Sequence, residues 1–303
     1  MNKKNIKRSP LFYVGDKYKL MSQIIGLFPK NINDYYEPFL GGGTVYLNVN
    51  AKKYYLNDID NILITLHRFL NSYALKSNDF FNELENIIFQ YNFSRSYKED
   101  VVPDKLKKAY KKTYFARYNQ ACYFSLRKIY NESKNKSPLI LYILLIYGFN
   151  RMLRFNNKGE FNIPVGNVDL NNNVIGALKE YFSTVEHRSV SYTCQDFRLF
   201  LKTKFQKEDF IYFDPPYLIT FSEYNKLWNE KNETELLLLL DKLNNKGVKF
   251  ALSNVTYYKG KSNDYLIKWM GKYNYFKIKS NYISYHNNGT KKIEEVLITN
   301  YEP

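Results

Sequence analysis

Five consecutive residues, Phe213-Asp214-Pro215-Pro216-Tyr217, bring a carboxylate, two prolines and an aromatic ring to the end of an apolar segment, Phe210-Ile211-Tyr212-Phe213. The segment reads as a strand. Two prolines can neither continue a central strand nor enter a helix interior, so the chain must leave the sheet as a stiff loop. Such a loop presents backbone carbonyls and one carboxylate in a fixed array, which suits the exocyclic amino group of a nucleic-acid base. The nitrogen lone pair of that group is delocalised into the ring, and it becomes a competent nucleophile only when acceptors draw on its hydrogens. Asp214 and the Pro215 carbonyl supply acceptors, Pro216 stiffens the loop, and Tyr217 offers a ring face for a base drawn out of its stack. The plain alternative is a proline-stiffened loop whose aspartate caps the next helix.

A second group, Glu37-Pro38-Phe39-Leu40-Gly41-Gly42-Gly43, is followed by Asp58 at the end of the next strand-like segment. Glycines let backbone pass close to a ligand, and an acid closing a strand is placed for ribose hydroxyls. A dinucleotide site fits almost as well, although the spacing is looser than the dinucleotide fingerprint and no phosphate-grasping lysine follows. A tight turn with a solvated Asp58 is the third reading. Farther upstream, Pro10-Leu11-Phe12-Tyr13-Val14-Gly15-Asp16-Lys17 places an aromatic, a glycine and a lysine just before a helix. That setting favours an anionic group such as a carboxylate, and equally an ordinary helix start.

Positioning these groups requires an α/β scaffold. Apolar spacing predicts a helix over 17–28, closed by Pro29, then a strand over 35–40, the glycine loop, a helical stretch over 45–50 and a strand over 53–56 running into Asn57-Asp58. Strands are expected again at 189–194, 210–214 and 249–252, with a helix over 233–244. An antiparallel pair is expected at 275–283 and 294–300. Between 61 and 164 the pattern changes to polar and aromatic helices, including an apolar helix over 139–149. It ends in a hairpin whose turn is Asn157-Lys158-Gly159. We expect residues 61–164 to be an inserted helical domain, and residues 1–60 with 165–303 to form the catalytic one.

Charge concentrates in that insert. The 303-residue chain carries a formal net charge of +16, which asks for a polyanionic partner. Residues 61–164 hold seventeen Lys and Arg against eight Asp and Glu. Within them, residues 105–131 contain Lys105, Lys107, Lys108, Lys111, Lys112, Arg117, Arg127 and Lys128 with no acid, interleaved with tyrosines and phenylalanines. Basic plus aromatic is a nucleic-acid signature; a solvated helix face with inward tyrosines is the other reading. The longest apolar run is shorter than the roughly 20 residues that span a membrane, and residues 9–16 interrupt any signal-peptide core, so a cytoplasmic protein is expected. Two cysteines, Cys122 and Cys194, make no disulfide framework, and His67, His187 and His286 have no zinc-site spacing, so no metal is expected.

In this order the segments resemble the Dam family of DNA adenine-N6 methyltransferases, bacterial and phage enzymes that use S-adenosylmethionine, and the resemblance covers nearly the whole chain. Its aromatic-x-Gly-x-Lys opening stands here as Tyr13-Val14-Gly15-Asp16-Lys17, with Tyr13 where many members carry tryptophan. Phe39-Leu40-Gly41-Gly42-Gly43, Asn57-Asp58-Ile59, the hairpin pattern Arg154, Asn156, Gly159, Phe161 with Pro164 and Gly166 beyond, and Asp214-Pro215-Pro216-Tyr217 complete the set. The resemblance implies a Rossmann-like methyltransferase sheet with an inserted helical DNA-recognition domain ending in a β-hairpin. It implies that Tyr13, Lys17, Glu37, Phe39, Gly41, Asp58 and Asp214 line the S-adenosylmethionine pocket, with Asp196 near the cofactor adenine. It also implies that Arg154, Asn156 and Pro164 of the hairpin meet double-stranded DNA.

Arginine suits guanine edges and asparagine suits adenine edges in the major groove; contact to phosphate by Arg154 and turn-shaping by Asn156 are the competing readings. Lys111, Lys112 and Arg117 are expected at phosphates. The reaction expected is site-specific methylation of adenine N6 in a short, GATC-like sequence, with a cognate restriction endonuclease as a genetic partner only. An RNA adenine methyltransferase and a DNA-binding protein that keeps the fold without the chemistry are the alternatives. A cytosine-N4 enzyme would usually carry serine at position 214.

Overall fold

Two adjacent tyrosines, Tyr35 and Tyr36, are both buried, yet they belong to different hydrophobic clusters on opposite faces of one sheet. They lie in β1 (Asp34–Glu37), and the same division separates Phe210 and Tyr212 from Ile211 and Phe213 in β4 (Phe210–Phe213). Strands covered on both faces read as continuous apolar runs because successive side chains point to opposite sides. The computed structural model describes residues 6–99, 101–220, 228–279 and 293–303.

The remaining strands are β2 (Lys53–Asp58), β3 (Ser189–Cys194), β5 (Lys249–Tyr258), the short β6 (Lys261–Ser262), β7 (Asn274–Ile278) and β8 (Ile293–Thr299). The order across the sheet is β3-β2-β1-β4-β5-β8-β7, with β6 paired to β5. From β3 to β5 every neighbour is parallel, whereas β8 runs antiparallel to β5 and β7 antiparallel to β8. The chain steps outward from β1 through β2 to β3 in one direction and from β4 to β5 in the other. The switch point therefore lies between β1 and β4, where the carboxyl ends of open α/β sheets leave a crevice.

Helices cover both faces. On the Tyr35 face lie α1 (Met21–Ile24), α2 (Thr44–Asn48), α3 (Asn61–Ser72), α4 (Ser77–Gln90), α6 (Tyr114–Glu132), α7 (Pro138–Tyr147) and α8 (Asn172–Val185), which contribute to one buried cluster with Leu56 and Phe210. The short α5 (Asp104–Ala109) precedes α6. On the Tyr36 face lie α9 (Phe197–Phe200), α10 (Glu230–Asn245) and α11 (Asp264–Met270). Local sequence explains the starts: Asp60 accepts from the amides of Ile62 and Leu63 at the head of α3, and Ser137 caps α7 just before Pro138. Eight of the ten residues of α7 are buried, so it is apolar around its whole circumference.

Several predicted elements shift. The helix expected over 17–28 is only Met21–Ile24 followed by a 3-10 turn, because Asp16 accepts from the Tyr18 amide and holds a turn ahead of it. The strand expected over 35–40 stops at Glu37, where Pro38 has no amide to give a ladder. Helices α8 and α11 lie outside the predicted set. The antiparallel pair at the carboxyl end is present as β7 and β8, and residues 280–283 of its expected first strand lie outside the described residues. Within 151–164 the hairpin carries one antiparallel bridge, Phe155 to Phe161.

Candidate active site

The strand order collects acids. Glu37 ends β1, Asp58 ends β2, Asp196 follows β3 and Asp214 follows β4, so four adjacent parallel strands deliver a carboxylate to the same edge of the sheet. Asp214 sits at the centre of a charged contact. Its Oδ2 lies 2.6 Å from the Lys17 ammonium, whose side chain is only 5% exposed. Its Oδ1 accepts from the Tyr217 hydroxyl at 3.0 Å, and the Lys17 ammonium stands 5.2 Å from the centre of the Tyr217 ring. The sequence segments at 13–17 and 213–217, some two hundred residues apart, are thus one site.

Glu37 is buried and accepts from the Tyr35 hydroxyl at 3.0 Å, with no cation within ion-pair distance among the described residues. Burial pushes its carboxyl well above the ordinary glutamate range, opposed by the Tyr35 hydrogen bond and reinforced by the negative charges of Asp214 and Asp58. Asp58 is also raised by burial, against the pull of the Gly41, Asp60 and Ile59 amides. Its Oδ2 accepts from Gly41 N at 2.9 Å and its Oδ1 from Asp60 N at 3.1 Å, so it ties the glycine loop to β2. Each oxygen keeps a second lone pair for a ligand hydroxyl.

The glycines have structural work as well. A Cβ on Gly42 would stand 2.7 Å from the Tyr13 Cβ, and one on Gly43 would stand 2.7 Å from the Tyr46 ring and 2.9 Å from His67. Gly41 and Gly43 adopt φ of +49° and +75°. His67 and Glu295 belong to the same environment and carry no sequence signal of it. His67 Nε2 stands 2.8 Å from the Gly41 carbonyl, and burial lowers the imidazole pKa to about 4, so the neutral ring donates to the loop. Glu295, on β8, is 3.2 Å from the Tyr217 hydroxyl.

Phe39 packs against Phe197 and Trp228 with ring centroids 5.2 and 5.6 Å away. Asp196 accepts from the amide of Arg198 and pairs with its guanidinium at 2.8 Å, so any ligand there shares an acid that is already engaged. This donor set fits S-adenosylmethionine: a buried carboxylate without a cation suits an ammonium group, and an acid beside a glycine loop suits ribose hydroxyls.

The hairpin is built from outside itself. Along one face of α6, Tyr123 and Arg127 donate to the Ile163 carbonyl, and Asn131 bonds both the amide and the carbonyl of Phe161. Arg127 is therefore a hairpin support. Arg154 is exposed on the hairpin and directs two N–H groups at Asn162. Asn156 spends its side chain on the turn, accepting from the amides of Lys158 and Glu160 and donating to the Glu160 carboxylate. Pro164 is exposed, its carbonyl accepting from the Phe149 amide. Lys111, Lys112 and Arg117 are exposed where α5 meets α6, and Arg117 lies over the Tyr110 ring.

Among the described residues, no group of three or more His, Cys, Asp or Glu side chains is arranged to hold a metal ion, and no helix is long and apolar enough to cross a membrane.

Residues 13–283 match the family model described as D12 class N6 adenine-specific DNA methyltransferase. Modification methylase StsI of Streptococcus sanguinis is 36% identical over 314 residues, covering 99% of this chain and 44% of its own length. Type II methyltransferase M.FokI of Planomicrobium okeanokoites is 36% identical over 305 residues, covering 97% of this chain and 43% of its own. The DNA adenine methylase of Haemophilus influenzae is 30% identical over 235 residues, covering 74% and 68%. The chain thus spans less than half the length of the first two relatives.

Proposed function

Because the chain belongs to the D12 class of N6 adenine-specific DNA methyltransferases, we propose that it methylates the N6 amino group of an adenine flipped out of a short double-stranded DNA site, using S-adenosylmethionine. The observation that carries this reading is the Asp214 carboxylate at the end of β4, gripped by Lys17 on one oxygen and by Tyr217 on the other. The Lys17 ammonium balances the carboxylate charge, so Asp214 can accept a hydrogen bond from the amino group and draw on its hydrogens. The Pro215 carbonyl, in the same stiff loop, would be a second acceptor. Tyr217 offers its ring to the extruded base, and its hydroxyl contacts fix the ring plane in advance.

When bound, S-adenosylmethionine supplies an electrophilic methyl group on a sulfonium sulfur. Glu37 would hold its ammonium group, Asp58 its ribose hydroxyls, and Tyr13, Phe39, Gly41 and Asp196 would complete the pocket. No covalent enzyme intermediate is needed, because Asp214 has only to orient the amino group and take its proton after attack.

Residues 61–164 would act as the target-recognition insert. Arg154 would read a base edge, and Lys111, Lys112 and Arg117 would meet phosphates. Asn156 would contribute through the shape of the turn it holds. The modification-methylase names of the relatives support a restriction endonuclease as a genetic partner.

The test is labelled methyl transfer to unmethylated genomic DNA, followed by digestion to nucleosides and mapping of the modified base. N6-methyladenine in one short motif is expected. Cofactor binding without any DNA methylation would overturn the substrate assignment.

A further inference from the structure

Glu295 stands where β8 begins. Because β8 runs antiparallel to β5, its first residues lie at the sheet edge where the parallel strands end, and Glu295 pairs with Val255 and Ile278. It is 3% exposed. Its Oε1 is 3.2 Å from the Tyr217 hydroxyl, the same hydroxyl that lies 3.0 Å from Asp214 Oδ1. One hydroxyl hydrogen serves one acceptor fully at a time, so two carboxylates sharing it form a path along which a proton can pass. A carboxylate buried only to fill space is costly, since an amide or apolar side chain would pack there without the desolvation penalty. Its placement against Tyr217 calls for a use.

We propose that Glu295 is a positioning residue for the methyl transfer, receiving through the Tyr217 hydroxyl the proton that adenine N6 loses. This rests on the reaction proposed above. As the bond from N6 to the methyl carbon forms and the bond from that carbon to sulfur breaks, N6 gains a positive charge and must shed one hydrogen. Asp214 takes that proton and passes it to the Tyr217 oxygen while the Tyr217 hydroxyl hydrogen moves to Glu295 Oε1. Asp214 is left ionised and still paired with Lys17, Tyr217 is left neutral, and Glu295 carries the proton until it passes to solvent.

Burial raises the Glu295 carboxyl above the ordinary glutamate range, reinforced by Asp214 and opposed by Lys17 and the Tyr217 hydrogen bond, which makes it a willing acceptor. The titratable groups facing it are Lys17 from the amino-terminal segment, Asp214 and Tyr217 from the loop after β4, and Tyr212 of β4, whose hydroxyl pairs with Ser253. Its strand neighbours Val255 and Ile278 carry no charge.

The experiment measures the single-turnover rate of N6-methyladenine formation on unmethylated DNA across pH for the wild-type chain, Glu295→Gln, Glu295→Asp, Tyr217→Phe and the Glu295→Gln/Tyr217→Phe double variant. Binding of S-adenosylhomocysteine and of DNA is measured beside it. Glu295→Gln is expected to lose about a hundredfold in rate, the lower end of the range of proton-transfer assistance, with both affinities held within about twofold. Its acid limb should move to lower pH, since the wild-type rate falls when Glu295 is already protonated. Glu295→Asp should regain part of the rate, and the double variant should be no slower than Tyr217→Phe.

Glu295→Gln at the wild-type rate with an unmoved pH profile overturns the proposal, as does a loss explained by weaker binding or additive with Tyr217→Phe. A wild-type chain that forms no N6-methyladenine overturns the reaction itself, and this proposal falls with it.

Discussion

The edge of the sheet and the basic insert treat charge in opposite ways. At the edge, each acid is tied to a specific partner, Glu37 and Glu295 are buried, and burial raises the carboxyls of Glu37, Asp58 and Glu295. In the insert, Lys111, Lys112, Arg117 and Arg154 are exposed. The first arrangement suits chemistry, because fixed groups in a water-poor setting need no reorganisation when charge develops. The second suits a polyanion, because exposed cations release counterions on meeting phosphate and act across any sequence. The hairpin stands between the two, exposed like the insert but held by named hydrogen bonds from α6.

The division between the two regions is tested most severely at Asp214. Asp214→Ala should lower the single-turnover methylation rate by about a thousandfold or more, since it removes the acceptor for the amino group. DNA affinity should stay within about twofold in an electrophoretic shift if, as proposed, residues 61–164 carry binding. A comparable loss in both would mean that the two regions are not separate in function.

Next in size is an acid effect at the glycine loop. His67 is neutral in the fold, its pKa lowered from 6.5 to about 4. The unfolded chain therefore binds the extra proton first, and stability present above pH 6.5 is lost as pH falls toward 4. At 1.36 kcal/mol per unit the full loss is about 3 kcal/mol. Thermal melts of the wild-type chain and His67→Gln between pH 7 and 4 should converge as the wild type loses this contribution. Parallel curves would show that His67 does not titrate with folding.

Arg154→Ala and the pair Lys111→Ala with Lys112→Ala separate two kinds of cation within the insert. Loss of one base-reading arginine should cost roughly 1–3 kcal/mol of site discrimination while leaving bulk DNA binding nearly intact. The lysine pair should weaken binding to all sequences and lower the salt slope by about 1 for each phosphate left without its lysine. The smallest effect belongs to Asn156→Ala. It should cost about 1 kcal/mol of local stability, read as faster hydrogen exchange at the Lys158 and Glu160 amides.

Much of this arrangement is legible in order and composition. Apolar runs announce β1, β2 and β4 to within a few residues, the β-branched and aromatic residues of 189–194 announce β3, and Pro215-Pro216 marks where β4 must end. The helix ahead of β1 is shorter than its spacing implies because Asp16 competes for a turn. Roles split likewise in the hairpin: its Arg, Asn and Gly positions are visible in sequence. That Asn156 is spent on the turn and Arg127 on the Ile163 carbonyl depends on which atoms come within reach.

A two-faced sheet, a proline-stiffened acid loop at a strand end and a positively charged helical stretch over residues 61–164 are all written in the chain itself, since they follow from local periodicity, proline stereochemistry and charge count. Folding in three dimensions was needed to bring Lys17 onto Asp214, to set His67 beneath the glycine loop, and to join Glu295 to Tyr217. These contacts depend on strand order and direction. A lysine before the first strand reaches Asp214 only once β1 meets β4, a histidine on a helix reaches Gly41 only once β1 meets β2, and a glutamate in the last strand reaches Tyr217 only once β8 lies antiparallel beside β5, and no local pattern encodes those pairings.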